Sequence, residues 1–530
     1  MASSESKLSP PVGEETFPSD HEPATKKPKL DGSNITRIDH TLPSKTEEKE
    51  NCRENLDEET HRGQHVGEDS EVATKTNQSR PIASDTQRPR EEESVQLLES
   101  SSQEGALEEQ KSKCPAGVVL LAGEYNWDIC GRQKSSKDSK KNLLKEPLWV
   151  FHRVKDLEGI RVQKVVSHCT AAHNILITDQ GQALAWGRND KGQLGVGDTV
   201  KKDHPQPILD LKNFTVIDAA CGKSHTLVLT ESGDVFGFGE NKLGQLGLGN
   251  ENPVVQTPTK IQFDDGPVKK VACGGQFSLM VNSKGALYSF GCPEYGQLGN
   301  NTDGKYFVSA NRMAFHCELR PIQVKIFIDK MQNGIIIPVK GVRIADIACG
   351  TSHSVAVDTE KRVFTWGFGG YGRLGHNETK DEHVPRLVKG FVGLHKGVKK
   401  VFAGSIFSLA IGESGGLFLW GQTRRAGEAN MYPKPIQDLY GWNILDVGCG
   451  YSSIVVAADE SVISWGPTPA YGELGHGERQ KSSSVPKEVG YMDGLNVHSV
   501  TCGICHTLLI ARDETEEDHK KLEALPVFKP

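Results

Sequence analysis

The sequence has 530 residues, of which 36% are hydrophobic and 25% charged, and a formal net charge of −7. This length allows several domains. No run of 18 apolar residues and no apolar leader occur, so we expect neither a membrane span nor a signal peptide. The twelve cysteines are then expected as reduced thiols rather than disulfides.

Residues 1–113 differ in composition from the rest of the chain. They contain 25 Asp and Glu against 15 Lys and Arg, and neither Trp nor Tyr. Such a segment has too little apolar surface to offset its ordering entropy, so we predict a disordered acidic tail. Within it, the basic cluster Lys26, Lys27, Pro28 and Lys29 is a nuclear-import candidate. The alternative is an ordinary solvated charge run.

The stretch from Cys221 to Gly249 predicts the repeating unit of the rest of the chain. Thr226 to Thr230 is β-branched and apolar, as in a buried strand. A Glu-Ser-Gly-Asp turn follows, and Val235 to Gly239 returns as a second strand. A single hairpin is marginally stable in water, so this unit must pack on copies of itself.

The copies recur with a period near 50 residues. A Cys-Gly signature, or a variant of it, occurs seven times, and a Trp-Gly or Phe-Gly pair recurs at one repeat position six times. Only strand and turn patterns occur within the period, which is typical of a β-propeller. The seventh repeat, beginning at Cys502, lacks its second half, and the strand at residues 118–123 supplies the missing part. We therefore predict an all-β, seven-bladed propeller over residues 114–512, closed by N- and C-terminal strands.

A polar loop between Gly131 and Pro147 interrupts the closing blade. It is rich in lysine, including Lys134, Lys137, Lys140 and Lys141. One interpretation is a solvated loop without a role. The other is an electrostatic contact with an anionic partner such as DNA phosphates or an acidic protein.

The spacing between the third and fourth repeats is about 24 residues longer than the others, and the extra residues lie between Gly299 and Gly341. Two apolar runs around Asn333-Gly334 predict a hairpin. It either packs over the outer strand of a blade or projects toward a partner. For the second case Phe327, Ile328 and Met331 are the expected anchor residues.

Two further segments depart from the repeat. The fifth repeat loses its Gly-x-Leu-Gly connection near Arg424 and Arg425, which indicates either a contact surface or sequence drift. Residues 513–530 begin with acidic residues and continue with lysines, as in a short helix aligned with its dipole. We expect this charged C-terminal tail to be weakly ordered.

No catalytic signature, metal-ligand spacing or cofactor motif occurs outside the repeat. His225, His353 and His506 recur at one repeat position, which indicates a buried structural role with ring nitrogens bonded to backbone. The sequence therefore predicts a binding platform without catalytic residues, metal or cofactor. Fold alone does not assign a partner.

Three longer segments resemble the regulator of chromosome condensation superfamily, and specifically a branch of mitotic regulators within it. They are FGCPEYGQLG from Phe290, VFTWGFGGYGRLGH from Val363 and VVAADESVISWGPTPAYGELG from Val455. The resemblance covers roughly residues 116–512. It implies a monomeric, non-enzymatic regulator or scaffold that binds small GTPases of the Rac, Ral or Arf type. It also implies binding to centromeric chromatin and microtubules, with roles in cell-cycle progression, chromosome segregation and cell migration.

The resemblance further implies a location in the nucleus and nucleolus in interphase, in the centromere, spindle midzone and midbody in mitosis, and partly in the cytoplasm and on the cytoskeleton. A guanine-nucleotide exchange factor is the first alternative, since exchange needs no covalent chemistry and the related regulator for Ran opens its GTPase with an inserted wedge. Chromatin binding alone is the second alternative. Candidate partner-binding residues are Lys134, Lys137, Lys140, Lys141, Phe327, Ile328, Met331, Arg424 and Arg425.

Overall fold

The computed structural model describes residues 115–131, 146–310, 312–331, 334–393, 396–423, 428–466 and 471–530. Seven antiparallel sheets follow one another along this part of the chain and form the seven blades of a β-propeller. The predicted fold class is therefore confirmed. Each blade contains four strands in the order inner, second, third and outer, and we number the blades from the first complete sheet.

Blades 1 to 3 occupy the first half of the ring. Blade 1 consists of Val162–Val166, His173–Thr178, Ala183–Gly187 and Lys202–Pro207. Blade 2 consists of Val216–Cys221, His225–Thr230, Val235–Glu240 and Val254–Lys260. Blade 3 consists of Val268–Cys273, Phe277–Asn282, Leu287–Gly291 and Glu318–Gln323.

Blades 4 to 6 repeat this arrangement. Blade 4 consists of Ile344–Cys349, His353–Asp358, Val363–Gly367 and Glu382–Leu387. Blade 5 consists of Val398–Ala403, Phe407–Gly412, Leu417–Gly421 and Asn430–Pro435. Blade 6 consists of Ile444–Cys449, Ile454–Ala458, Ser461–Gly466 and Ser483–Glu488. Short 3₁₀ turns lie next to several outer strands, at Lys155–Leu157, Leu209–Leu211, Gly370–Gly372, Lys389–Phe391, Gln437–Leu439 and Gly490–Met492.

Blade 7 joins the two ends of the propeller. Its inner strands are Val497–Cys502 and His506–Ala511, and its outer strands are Val118–Gly123 and Leu148–Val154. Val118–Gly123 pairs with His506–Ala511 over its whole length, from Val118 opposite Ala511 to Gly123 opposite His506. This pairing confirms the predicted closure, which removes the long free sheet edges that an open array would leave.

The C-terminal segment packs against blade 7, contrary to the expected weakly ordered tail. Thr515 caps the helix Glu516–Ala524 through a capping box with Asp518, and Val527–Phe528 then pairs parallel to the outer strand Leu148–Val154. Leu522, Leu525 and Phe528 are buried. Three apolar side chains at this spacing cover the blade and order a segment whose composition alone suggested a solvated tail.

The core lies between adjacent blades, because the second strand of all seven blades is buried at every position. The sequence of a strand that is buried on both faces is a continuous apolar run rather than an alternation of apolar and polar residues. The glycine at or near the end of the third strand has a positive φ in six of the seven blades, as at Gly239 with φ of 109°. A Cβ at Gly239 would lie 2.5 Å from the Ser224 carbonyl oxygen, so only glycine fits there.

The repeat histidines join neighbouring blades. His225 Nε2 lies 3.0 Å from Ser278 Oγ, and the Ser278 hydroxyl donates to the Gln245 carbonyl at 2.8 Å. Because the Ser278 hydroxyl donates its own hydrogen to Gln245, Ser278 Oγ accepts a hydrogen bond from His225 Nε2–H. His173 contacts Thr226 and His353 contacts Ser408 in the same way, both at 2.9 Å, and His506 contacts the Asn174 amide at 2.6 Å. The predicted structural role holds, but the partners of Nε2 are side chains of the next blade rather than backbone groups.

Candidate interaction surface

The chain between Gly299 and Gly341 contains two hairpins, one on each side of the outer strand of blade 3, of which the sequence analysis predicted one. The unpredicted hairpin pairs Lys305–Ser309 with Arg312–Phe315 and forms a sheet of its own that joins no blade. We call it the projecting hairpin. It leaves the propeller where the third strand of blade 3 connects to the outer strand, after the Gly-Gln-Leu-Gly turn at residues 296–299.

The projecting hairpin exposes large apolar side chains. Phe307 and Met313 lie directly opposite each other on the two strands and are 76% and 48% exposed. Tyr306 and Val308 are exposed on the other face. Apolar side chains of this size on a projecting element are typical of a protein-binding surface, and aromatic and Met side chains are enriched in such interfaces.

The base of the projecting hairpin is held by local contacts. The Tyr306 ring stacks on the His316 ring with centroids 4.1 Å apart. The His316 amide donates to the Gly304 carbonyl at 2.8 Å, and the Gly304 amide donates to Thr302 Oγ1 at 2.9 Å. Gly304 has a positive φ of 63°, and a Cβ there would lie 2.6 Å from Pro293 Cγ. A partner therefore meets a pre-ordered element, which lowers the entropic cost of binding.

The predicted hairpin also forms and packs onto blade 4. Ile328–Lys330 pairs with Ile336–Pro338, and Ile328 lies opposite Arg386 of the outer strand of blade 4. We call it the packed hairpin. This is the first of the two predicted alternatives: the hairpin packs over the outer strand of a blade, and its inner face completes the core of that blade.

Two of the three predicted anchor residues lie in that core. Phe327 and Ile328 are 8% and 6% exposed, and the Phe327 ring meets the Phe364 ring edge-on at 5.2 Å. Their side chains are therefore not available to a partner, which corrects the prediction that they anchor an interface. Met331 is 41% exposed, and the following residues Ile335, Ile336 and Ile337 are exposed as well. The apolar surface of the packed hairpin is thus its far edge rather than its first strand.

A basic cleft lies between the packed hairpin and blade 3. It has a volume of about 770 Å³, with Leu287, Val324 and Phe327 among its apolar lining residues. Four of its fifteen lining residues are basic and none is acidic. The basic residues are Lys284, Lys325, Lys340 and Arg343. Lys284 is paired with Asp265 at 3.3 Å, whereas among the described residues Lys325, Lys340 and Arg343 have no ion pair. The cleft therefore suits an anionic group.

The remaining predicted site residues lie outside the described residues. This applies to Lys134, Lys137, Lys140 and Lys141 of the basic loop, to Arg424 and Arg425 of the fifth repeat, and to the import candidate Lys26, Lys27, Pro28 and Lys29. These predictions stay predictions. The cleft and the projecting hairpin were missed, although the aromatic and β-branched run at residues 306–308 is a strand signal.

The buried histidines and cysteines of the repeat are not suited to acid-base or nucleophilic catalysis. Burial lowers the pKa of His173, His225 and His506 to about 3 and keeps these rings neutral. Burial also raises the pKa of the repeat cysteines, for Cys273 to about 12, so they are poor nucleophiles. Within the described ranges, no group of three or more His, Cys, Asp or Glu side chains could hold a metal ion, and no helix is long and apolar enough to cross a membrane.

Comparisons with known proteins agree with the fold and the repeat. The family model for the RCC1-like domain matches residues 119–509. Human Protein RCC2 is 51% identical over 421 residues, which cover 79% of this chain and 80% of that protein. The zebrafish (Danio rerio) Protein RCC2 homolog is 50% identical over 416 residues, covering 78% of this chain and 84% of that protein.

Solved structures share the architecture at low sequence identity. Human WBSCR16 superimposes with a TM-score of 0.59 at 21% identity and covers 76% of this chain and all of its own. Saccharomyces cerevisiae Prp20p, a protein with described binding properties toward Gsp1p and histones, gives 0.59 at 18% identity and covers 77% of this chain and 94% of its own. At these identities the likeness concerns the fold alone. The matched family model and the RCC2 relatives, which are about half identical over most of both chains, show that this chain belongs to the RCC1-like family, the regulator of chromosome condensation superfamily.

Proposed function

We propose that this protein is a non-enzymatic regulator that binds a small GTPase through the projecting hairpin. The observation that carries the proposal is the pair Phe307 and Met313, exposed side by side on a pre-ordered element that belongs to no blade. A few central aromatic and flexible apolar side chains supply most of the binding energy in a typical interface. The family relationship gives the regulator class, and Prp20p supplies a precedent for a protein of this fold that binds a GTPase.

The charge of the projecting hairpin favours an acidic partner surface. Lys305 and Arg312 are its only charged residues among those described, and both are basic. Lys305 is paired with Asp303 at 3.3 Å, whereas Arg312 is exposed. The apolar pair would thus be flanked by positive charge, which steers association and fixes orientation more than it adds affinity. The Rac, Ral and Arf groups are the GTPases to test, as the sequence resemblance implies.

The experiment measures binding of the full chain to purified Rac, Ral, Arf and Ran proteins, each loaded with GDP or freed of nucleotide. The test variant carries Phe307→Ser and Met313→Ser. The matched control carries Val485→Ser, which changes a residue that is 57% exposed on the outer strand of blade 6. We expect the test variant to bind at least about tenfold more weakly, since removing a hot-spot residue costs about 2 kcal/mol or more. Equal binding by the test and control variants would contradict the proposal.

Guanine-nucleotide exchange is the second candidate function, and the same element favours it. An exchange factor needs only to disfavour bound nucleotide relative to the nucleotide-free complex. Release of labelled GDP in the presence of catalytic amounts of the full chain separates the two candidates. Accelerated release that is lost in the hairpin variant would indicate an exchange factor. Binding without acceleration would leave a scaffold or sequestering regulator.

Chromatin or microtubule binding is a third candidate, and the basic cleft favours it. Lys325, Lys340 and Arg343 lie around an opening without acidic residues. Contacts to phosphates weaken steeply with salt, whereas an apolar contact does not. Nucleosome and microtubule sedimentation between 50 and 200 mM salt therefore tests it, with the triple substitution to Gln as the variant. Salt-insensitive binding that the triple variant retains would contradict it.

The proposed locations follow from the same resemblance: the nucleus and nucleolus in interphase, the centromere, midzone and midbody in mitosis, and part of the cytoplasm and cytoskeleton. Nuclear import would use Lys26, Lys27, Pro28 and Lys29. Substituting the three lysines with Ala in a fluorescent fusion is expected to shift the interphase signal to the cytoplasm. An unchanged nuclear signal would remove the motif from the proposal.

A further inference from the structure

Two cysteines lie at the base of the projecting hairpin, one on each side of it. Cys292 directly follows the third strand of blade 3, and Cys317 directly precedes the outer strand. The register of these strands places Gly291 opposite Glu318, so the next positions, 292 and 317, lie opposite each other. Opposite residues of an antiparallel pair have Cα atoms about 4.5–5.5 Å apart, which lies within the range that a disulfide requires.

The two thiols are in contact and differ in their exposure. Their side chains interact, both cysteines are free, and Cys317 Sγ also lies 3.8 Å from the Phe315 carbonyl oxygen. Cys292 is 3% exposed, and the hydrogen bond to Cys317 together with burial raises its pKa. Cys317 is partly exposed, and the hydrogen bond from Cys292 lowers its pKa, although burial and the Glu251 and Glu318 carboxylates act in the opposite direction. An accessible thiol next to a shielded partner thiol is the arrangement of a reactive and a resolving cysteine.

We propose that Cys292 and Cys317 form a redox modification site that a peroxide converts to a disulfide. The Cys317 thiolate attacks one oxygen of hydrogen peroxide, and the O–O bond breaks to give a sulfenic acid and hydroxide. Cys292 then attacks the Cys317 sulfur, its proton leaves with the departing hydroxide as water, and the S–S bond forms. In total two thiols are oxidised, one peroxide is reduced, and two water molecules are released.

The disulfide would close a loop that contains the whole projecting hairpin. Residues 293–316 lie between the two cysteines and include the Gly-Gln-Leu-Gly turn and both hairpin strands. Closing a loop restricts the chain at its two ends. Oxidation would therefore fix the base of the projecting hairpin on blade 3. The regulatory consequence, a change in GTPase binding, rests on the proposed function, whereas the disulfide itself does not.

The same protein contains a matched internal control. The side chains of Cys130 and Cys505 of the closing blade also interact, but they are 0% and 5% exposed. The interaction with Cys505, together with burial, raises the pKa of Cys130 well above its usual range. This pair offers the same thiol contact without access for an oxidant, so exposure of Cys317 is what distinguishes the proposed site.

The experiment treats the full folded chain with hydrogen peroxide, blocks remaining thiols with N-ethylmaleimide and digests the protein with trypsin. We expect a linked pair of the tryptic peptides 285–305 and 313–325, which contain Cys292 and Cys317. It should form at least about tenfold faster than any product of Cys130 and Cys505, and disappear on reduction. Cys292→Ser should leave a sulfenic acid on residue 317 that dimedone traps, and Cys317→Ser should leave residue 292 unmodified.

Three results would overturn the proposal: no linked peptide with wild type, equal rates for the two cysteine pairs, or no trapped sulfenic acid in the Cys292→Ser variant. GTPase binding by the oxidised and the reduced chain is measured separately. If neither form binds any GTPase, the proposed function fails while the linked peptide still decides the modification site. If both forms bind equally, the site is a modification without effect on that partner, and the regulatory consequence is refuted.

Discussion

The hydrogen bond between His225 and Ser278 makes the stability of the propeller depend on pH in a way that one substitution can isolate. Blades 3 and 5 have phenylalanine, Phe277 and Phe407, where blade 2 has His225. All three rings pack on the glycine of the Cys-Gly signature, where a Cβ would lie 2.0–2.2 Å from the ring. Phenylalanine therefore fits this position sterically, and His225→Phe removes a titrating ring without creating a cavity.

The magnitude follows from the pKa of His225. Burial lowers this pKa from an ordinary value near 6.5 to about 3 in the folded chain. The unfolded chain therefore takes up a proton below pH 6.5 that the folded chain does not, and stability falls as the pH falls. At pH 5 this one ring lowers the free energy of unfolding by about 2 kcal/mol relative to pH 7.5. At neutral pH the variant instead loses one neutral hydrogen bond, which costs about 1 kcal/mol.

The assay is urea unfolding of the full chain and the His225→Phe variant between pH 5 and 7.5, followed by fluorescence. All other titrating groups are common to both proteins, so the difference in unfolding free energy isolates His225. We expect the variant to be less stable by about 1 kcal/mol at pH 7.5, equal near pH 6, and more stable by about 1 kcal/mol at pH 5.

A difference between the two proteins that stays constant over this pH range would refute the reasoning. It would mean that His225 takes up its proton equally in the folded and unfolded chains. Phe277→His provides the reverse test, because it adds a buried ring next to Ser354, whose hydroxyl donates to Gln297 at 2.9 Å and is not paired with a histidine among the described residues. That variant should lose stability more steeply with falling pH than wild type.

Three further substitutions test other parts of the fold. Gly503→Ala places a Cβ 2.0 Å from the His506 ring, so we expect a loss of about 1–3 kcal/mol in urea unfolding, whereas Gly490→Ala, which meets no atom within 4 Å, should change little. Phe528→Ala removes a buried ring from the closing blade, and a loss of about 3 kcal/mol is expected; wild-type stability would show that the C-terminal strand does not support the blade. Thr515→Ala breaks the capping box, so hydrogen exchange of the C-terminal helix should accelerate about fivefold, consistent with a loss near 1 kcal/mol, and unchanged exchange would argue against the cap.

The number of blades and their closure were predictable because each repeat carries its own steric requirements. A Cβ on Gly222, three residues before His225, would clash with the histidine ring, and the glycine near the end of the third strand has a positive φ in six of the seven blades. Glycines at these two positions recur in nearly every repeat, so the number of such positions in the sequence indicates the number of blades. The partner of each repeat histidine was not predicted, because it lies on the next blade, although the hydroxyl of Thr226, Ser278 or Ser408 at one repeat position was the available signal.

The insert was less predictable because nothing repeats in it. An Asn-Gly turn between apolar runs correctly indicated the packed hairpin, but alternation cannot show which neighbour covers a strand. Phe327 and Ile328 therefore looked like exposed anchors, and the structure buries them against blade 4. The projecting hairpin has apolar side chains on both faces, which is unusual for an exposed element and obscured its strand pattern.

The way the ring closes has a consequence for synthesis of the chain. Val118 pairs with Ala511, so the first strand of the propeller cannot pair with His506–Ala511 until that strand has been translated, roughly 400 residues later. At typical rates of about 5–20 residues per second, this interval lasts about 20–80 s on the ribosome. During that time Val118–Gly123 can pair only with the outer strand Leu148–Val154, and its other edge has no partner, although the strand is almost entirely apolar. Until its last blade emerges, a nascent chain of this protein therefore exposes the edge of an apolar strand, and we expect chaperones that bind short apolar segments to bind it.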